Sequence, residues 1–125
     1  MLRVTAIDHV QLAMPPGREL EAEAFYGDVL GLEVRPKPPV LAARGGRWFA
    51  RGEVQVHLGV EDDFRPARKA HPALRVAGFD ALLDALDAHA IAWKADVDLP
   101  GVRRIYVDDP FGNRVELIED AGARV

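Results

Sequence analysis

The sequence predicts an α+β fold built from two βαβββ modules, and three observations lead there. Apolar residues alternate along several short segments, as in half-buried strands, and recur at three- and four-residue steps in two others, as in amphipathic helices. The order of these segments is the same in residues 4–60 and 70–120: strand, helix, three strands. Between them, Glu61 to Ala70 is charged, contains Pro66 and reads as a linker. At 125 residues the chain has the length of one compact domain, so residues 1–125 are read as a single domain made of modules 4–60 and 70–120. Each module would form a curved mixed sheet with its aliphatic face under a helix, leaving the opposite faces to line a cavity.

In the first module, Val4 to Met14 reads as a strand with Val10, Leu12 and Met14 on one face and Ile7, His9 and Gln11 on the other. Pro15, Pro16 and Gly17 break it. A helix follows from about Arg18 to Leu30, with Leu20, Ala24, Phe25 and Val29 on its apolar side, and Gly31 suits the left-handed position that ends it. Leu32 to Arg35 reads as a short strand. Pro36, Pro38 and Pro39 then exclude the interior of a sheet and predict a connecting loop. Arg47 to Arg51 and Val54 to Val60 form a hairpin turned at Gly52 and Glu53, with Val54, Val56, Leu58 and Val60 opposite Gln55, His57 and Gly59.

The second module opens with a strand from His71 to Ala77. Phe79, Leu82, Leu83 and Leu86 then mark a helix from about Asp80 to His89, and strands follow near Ile91 to Val97, Val102 to Asp108 and Asn113 to Glu119. In YVDDPFGNRVELIE, Asp109, Pro110, Phe111, Gly112 and Asn113 are turn formers between alternating runs, which makes the last two strands a hairpin. Val115 and Leu117 point one way; Arg114, Glu116 and Ile118 point the other.

Composition narrows the function. With no cysteine, disulfides and thiolate metal sites are excluded, so any metal is held by nitrogen and oxygen. Lys+Arg 16 against Asp+Glu 20 leaves a net charge of −4 and no basic run, which argues against nucleic acid and for a small-molecule partner. No apolar run reaches the roughly 20 residues that cross a bilayer, and the start MLRVTAIDHV lacks the marks of a signal peptide, so a cytoplasmic location without membrane attachment is expected. Four ligand-type residues lie on non-aliphatic faces at matching ends of the modules: His9 and His57 in the first, His71 and Glu116 in the second. Imidazole with carboxylate suits zinc, nickel, manganese or iron. His89, at the end of the second helix, is read as structural, and Trp48, Phe49 and Trp93 as core residues or pocket walls.

The segments HVQL, EAFYGDVLGLEV, HPALRV and DDPFGNRVELIE together resemble the vicinal oxygen chelate superfamily over roughly Ile7 to Glu119. That resemblance implies a glyoxalase-like fold and metal ligands on the first and last strands of each module, where this chain has His9, His57, His71 and Glu116. The set is similar to that of glyoxalase I, with His57 in place of its first glutamate. A divalent metal, a homodimer with shared sites and Glu116 as catalytic base are what the likeness implies, in a glyoxalase-like lyase or isomerase. Its other branches imply a metal-free bleomycin-resistance-type binder, a fosfomycin-resistance-type transferase or a dioxygenase.

Overall fold

The computed structural model describes residues 1–122, in two compact units: Met1–Phe64 and the chain from Arg65 onward. Both are α+β units of the same plan. In the first, β1 (Val10–Met14), β2 (Glu33–Arg35), β3 (Arg47–Arg51) and β4 (Val54–Val60) form a sheet in the order β1-β4-β3-β2. β1 runs parallel to β4 and the other pairs are antiparallel. In the second, β5 (Ala73–Val76), β6 (Trp93–Asp96), β7 (Arg104–Asp108) and β8 (Arg114–Glu119) follow the order β5-β8-β7-β6, again with one parallel pair, β5 with β8. The pattern repeat in the sequence is thus a repeat of topology.

Each sheet buries its aliphatic face. In the first unit Met14, Phe49, Val56 and Leu58 are buried together with Phe25 and Tyr26 of the helix, and the Tyr26 and Phe49 rings lie 5.5 Å apart. In the second, Ile105, Val107, Val115 and Leu117 are buried along with Phe79, Leu82 and Leu86 of α3 (Phe79–Ala88). Burying one such aliphatic side chain is worth roughly 1.5–3 kcal/mol, so these faces fix which way every alternate polar residue points.

Several boundaries differ from those read in the sequence. The first strand begins at Val10, not Val4, and Leu2, Val4 and Ile7 are exposed. The register pairs Val10 with Val56, so residues before position 8 have no part of β4 beside them and no ladder to join. β1 begins at Val10, so His9 lies immediately ahead of it. The corresponding strand of the second module runs from Ala73, leaving His71 just ahead of it. The first helix is α-helical only over α1 (Glu19–Ala22) and then widens into a π-helical segment, Glu23–Val29, in which the Leu30 N–H reaches the Phe25 carbonyl at 3.0 Å. The proline-rich connection contains a short helix, α2 (Pro39–Ala42), because a proline in the first turn gives up no hydrogen bond the helix would use.

Candidate metal and substrate site

The hairpin that carries Glu116 is built by Asp109. Its Oδ1 accepts the Phe111 N–H at 2.9 Å and the Asn113 N–H at 2.8 Å, and its Oδ2 accepts the Asn113 side-chain amide at 2.9 Å. Gly112 supplies the left-handed step, at φ +90°. This turn fixes the register in which Tyr106 faces Glu116 and places Arg104 diagonally beside it on the same face.

Glu116 is 7% exposed and both its oxygens are engaged. Oε1 lies 3.0 Å from His71 Nε2, and Oε2 accepts from Arg104 Nη1 at 3.1 Å. Arg104 reaches on through Nη2 to Asp96 Oδ2, also at 3.1 Å. Burial pushes the Glu116 carboxyl up, but the bonds and positive charges of His71 and Arg104 outweigh it and hold the group below the usual carboxylate range. It is an anion at neutral pH. The edge of the His71 ring meets Tyr106, 5.6 Å between centroids, and Arg114 caps the same tyrosine at 4.0 Å.

His71 has an acceptor at each nitrogen. Nδ1 lies 2.8 Å from the Lys69 carbonyl oxygen, which can only accept, so Nδ1 carries a proton. Nε2 faces an ionised carboxylate, also an acceptor. A neutral imidazole has no second proton to place there, so the gap calls for a cation: a proton or a metal ion. The spacing fits a metal, because two adjacent ligands at about 2.1 Å from one ion stand roughly 3 Å apart. The Lys69 contact is also the outer hydrogen bond that a metal-binding histidine usually makes.

In the first unit His9 Nδ1 donates to Asp8 Oδ2 at 2.9 Å, which leaves the Nε2 lone pair of the neutral ring to face a metal or an acceptor-seeking group. His9 and His57 stack at 4.2 Å between ring centroids and 18° between planes, and Trp48 stacks on the other side of His57 at 4.5 Å and 13°. Lone pairs of stacked imidazoles lie in nearly parallel planes and do not converge on one ion, so His57 as placed is a wall beside His9. Burial, followed by the charge of His9, lowers the His57 pKa and keeps its ring neutral at pH 7. Gly59 leaves space on this face: a Cβ there would come within 2.6 Å of Gln11 Nε2. A cavity of about 560 Å³ opens beside the stack, bordered by His9, His57, Trp48, Gln55, Lys37 and Arg44.

The four residues singled out in the sequence thus occur as two donor pairs, His9 with His57 and His71 with Glu116, one pair in each unit. Among the described residues no group of three or more His, Asp or Glu is arranged to hold a metal ion. His89 sits at the end of α3 with Nδ1 2.8 Å from the Ala85 carbonyl, a helix-end role. Of the aromatics, Trp48 lines the cavity, Phe49 is wholly buried, and Trp93 donates to Asp87 at 2.9 Å. Sequence reasoning missed Asp8, Arg104 and Lys37. Asp8 adjoins His9, and Arg104 follows from the hairpin register once the turn is placed; Lys37 lies in the proline-rich connection and carried no periodic signal.

Two repeated α+β modules, each turning imidazole or carboxylate donors away from its aliphatic core, define the class of protein. No family model and no curated protein matches the sequence. Among solved structures, a glyoxalase family protein from Bacillus anthracis shares 47% identity, covering 95% of this chain and 98% of that one, with a TM-score of 0.89. The chain belongs to the glyoxalase family, within the vicinal oxygen chelate superfamily. The fold is shared with a genomically encoded fosfomycin resistance protein from Listeria monocytogenes, at 15% identity over 95% of this chain and 96% of that one (TM-score 0.74). A glyoxalase/dioxygenase from Nostoc punctiforme shares it too, at 21% identity over 96% and 98% (TM-score 0.74).

Proposed function

We propose that this protein is a divalent-metal-dependent enzyme of the glyoxalase type, a lyase or isomerase whose small substrate presents two neighbouring oxygens. The observation that carries the reading is His71: hydrogen-bonded through Nδ1 to a carbonyl and facing a carboxylate with Nε2, it has a place for a cation and no neutral partner. Glu116 supplies the adjacent oxygen and His9 Nε2 a further nitrogen. His57 becomes a fourth ligand only by turning out of its stack with His9 and Trp48. Zinc, nickel, manganese and iron all suit such a donor set.

A bound ion would polarise the two substrate oxygens and so ease removal of a neighbouring proton. The protein's own residues do the rest. Glu116, kept ionised by Arg104, is in the form that accepts a proton, and breaking either of its two contacts frees an oxygen to do so. The stacked rings of Trp48, His57 and His9 present their edges to the cavity and give it a rigid wall along which a substrate lies. The superfamily resemblance implies a homodimer with shared sites, and on that reading we place His9 and His57 of one copy with His71 and Glu116 of the other.

Protein purified without added metal should carry about one divalent ion per chain, and His71→Ala should lose most of it. Glu116→Gln should fold, bind metal more weakly and lose at least ~100-fold in turnover, the scale of a lost general base. Stoichiometric metal in His71→Ala would overturn the metal assignment, and unchanged turnover in Glu116→Gln would remove that residue from catalysis. A metal-free binding protein would show neither effect.

A further inference from the structure

We infer that the cavity of the first unit selects a substrate carrying an organic anionic group, a carboxylate or phosphonate, which Lys37 and Arg44 hold while its remaining atoms lie along Trp48 and His57. This rests on the metal-site reading for its chemistry, but the anion site is argued from different residues.

Two cations border the cavity, Lys37 and Arg44, against one carboxylate, Asp8. That carboxylate is already on His9 Nδ1. Arg44 makes no ion pair with any described residue. The half-buried Lys37 donates to the neutral carbonyl of Gly45, and the charged groups around it are Arg47, Arg44 and Glu19. Arg47 is turned toward Glu23, at 3.7 Å. Burial is the main cause that lowers the Lys37 pKa, and the charges of Arg47 and Arg44 act in the same direction against that of Glu19. A ligand anion would offset those positive charges.

The geometry suits a small organic molecule more than a free ion. About 560 Å³ falls within the range of small-ligand cavities, and Trp48, Leu41 and Val60 supply apolar lining beside the cations. Gly45 and Gly46, at φ +77° and +83°, shape the turn that carries the Lys37 acceptor and leads into β3. A Cβ at Gly46 would come within 2.2 Å of the Leu58 carbonyl oxygen, so this approach of the loop to β4 requires glycine.

The test uses full-length protein stripped of metal and three probes of equal ring size: benzoate, phenylphosphonate and benzamide. Binding is followed by NMR shifts of the Trp48 indole. Either anion or both should bind about tenfold more tightly than benzamide, the scale of one charge-assisted hydrogen bond. Which of the two is favoured distinguishes a carboxylate from a phosphonate substrate. Lys37→Gln and Arg44→Gln should each erase most of the advantage, Lys37→Arg should keep it, and added salt should reduce it. Cobalt binding by the same variants should match the parent protein. Equal binding of all three probes, no saturable binding of either anion, or an anion preference that survives the double variant would overturn the inference. Loss of cobalt binding in the parent with the anion preference intact would sink the metal reading alone.

Discussion

At Glu116 the chain places a carboxylate between Arg104 and His71, and the balance has a pH signature. Its folded pKa is lowered, so it contributes stability above the ordinary carboxylate pKa, and that contribution is lost as pH falls through the folded value. Arg104 supplies part of the lowering. Arg104→Gln should therefore melt below wild type at neutral pH, with the gap closing as the pH is taken below the carboxylate range. Thermal melts across that range check it, and a gap that stays constant with pH would mean that Arg104 acts through packing alone. Glu116 and His57 were visible as candidates because alternation separated them from the aliphatics, and His9 and His71, just ahead of β1 and β5, because the sequence reads as strand back over them. Arg104 was not, because an arginine in a strand has no marked pattern until its cross-strand neighbour is known.

At the level of elements, the turn between β7 and β8 was legible in full, while β7 begins at Arg104 and not at Val102. The turn chemistry is local: Asp109 bonds two backbone N–H groups and one side-chain amide within four residues, so no tertiary information is needed to place it. Asp109→Ala should cost about 2–3 kcal/mol, since it leaves buried donors without acceptors, and denaturant melts measure this. A loss under about 0.5 kcal/mol, the range of ordinary surface changes, would show that the turn is held by its flanking strands. Strand ends were less legible. Whether residues 4–9 pair depends on how far β4 extends beside them, a fact of register that alternation along one strand does not contain. The π-helical turns after Ala22 were likewise hidden, because a three-to-four-residue apolar spacing accommodates one widened turn without changing which side is buried.

At the scale of the whole molecule, two modules with one donor pair each raise the question of which pairs combine. If the site joins different chains, a dimer holds two sites, each with His9 and His57 from one chain and His71 and Glu116 from the other. A His9→Ala chain paired with a His71→Ala chain then has one site with both losses and one site with none. Dissociating and remixing equal amounts of the two variants makes about half of all dimers mixed, each with one intact site of two, so metal binding should recover to about a quarter of the wild-type level. Pairing within a chain predicts no recovery, because every site then keeps one damaged half. Metal content of the remixed sample, compared with each variant carried alone through the same treatment, separates the outcomes. Light scattering on the same samples checks that dimers formed, since a protein that is only monomer at tens of micromolar would refute the shared site and leave the within-chain one standing.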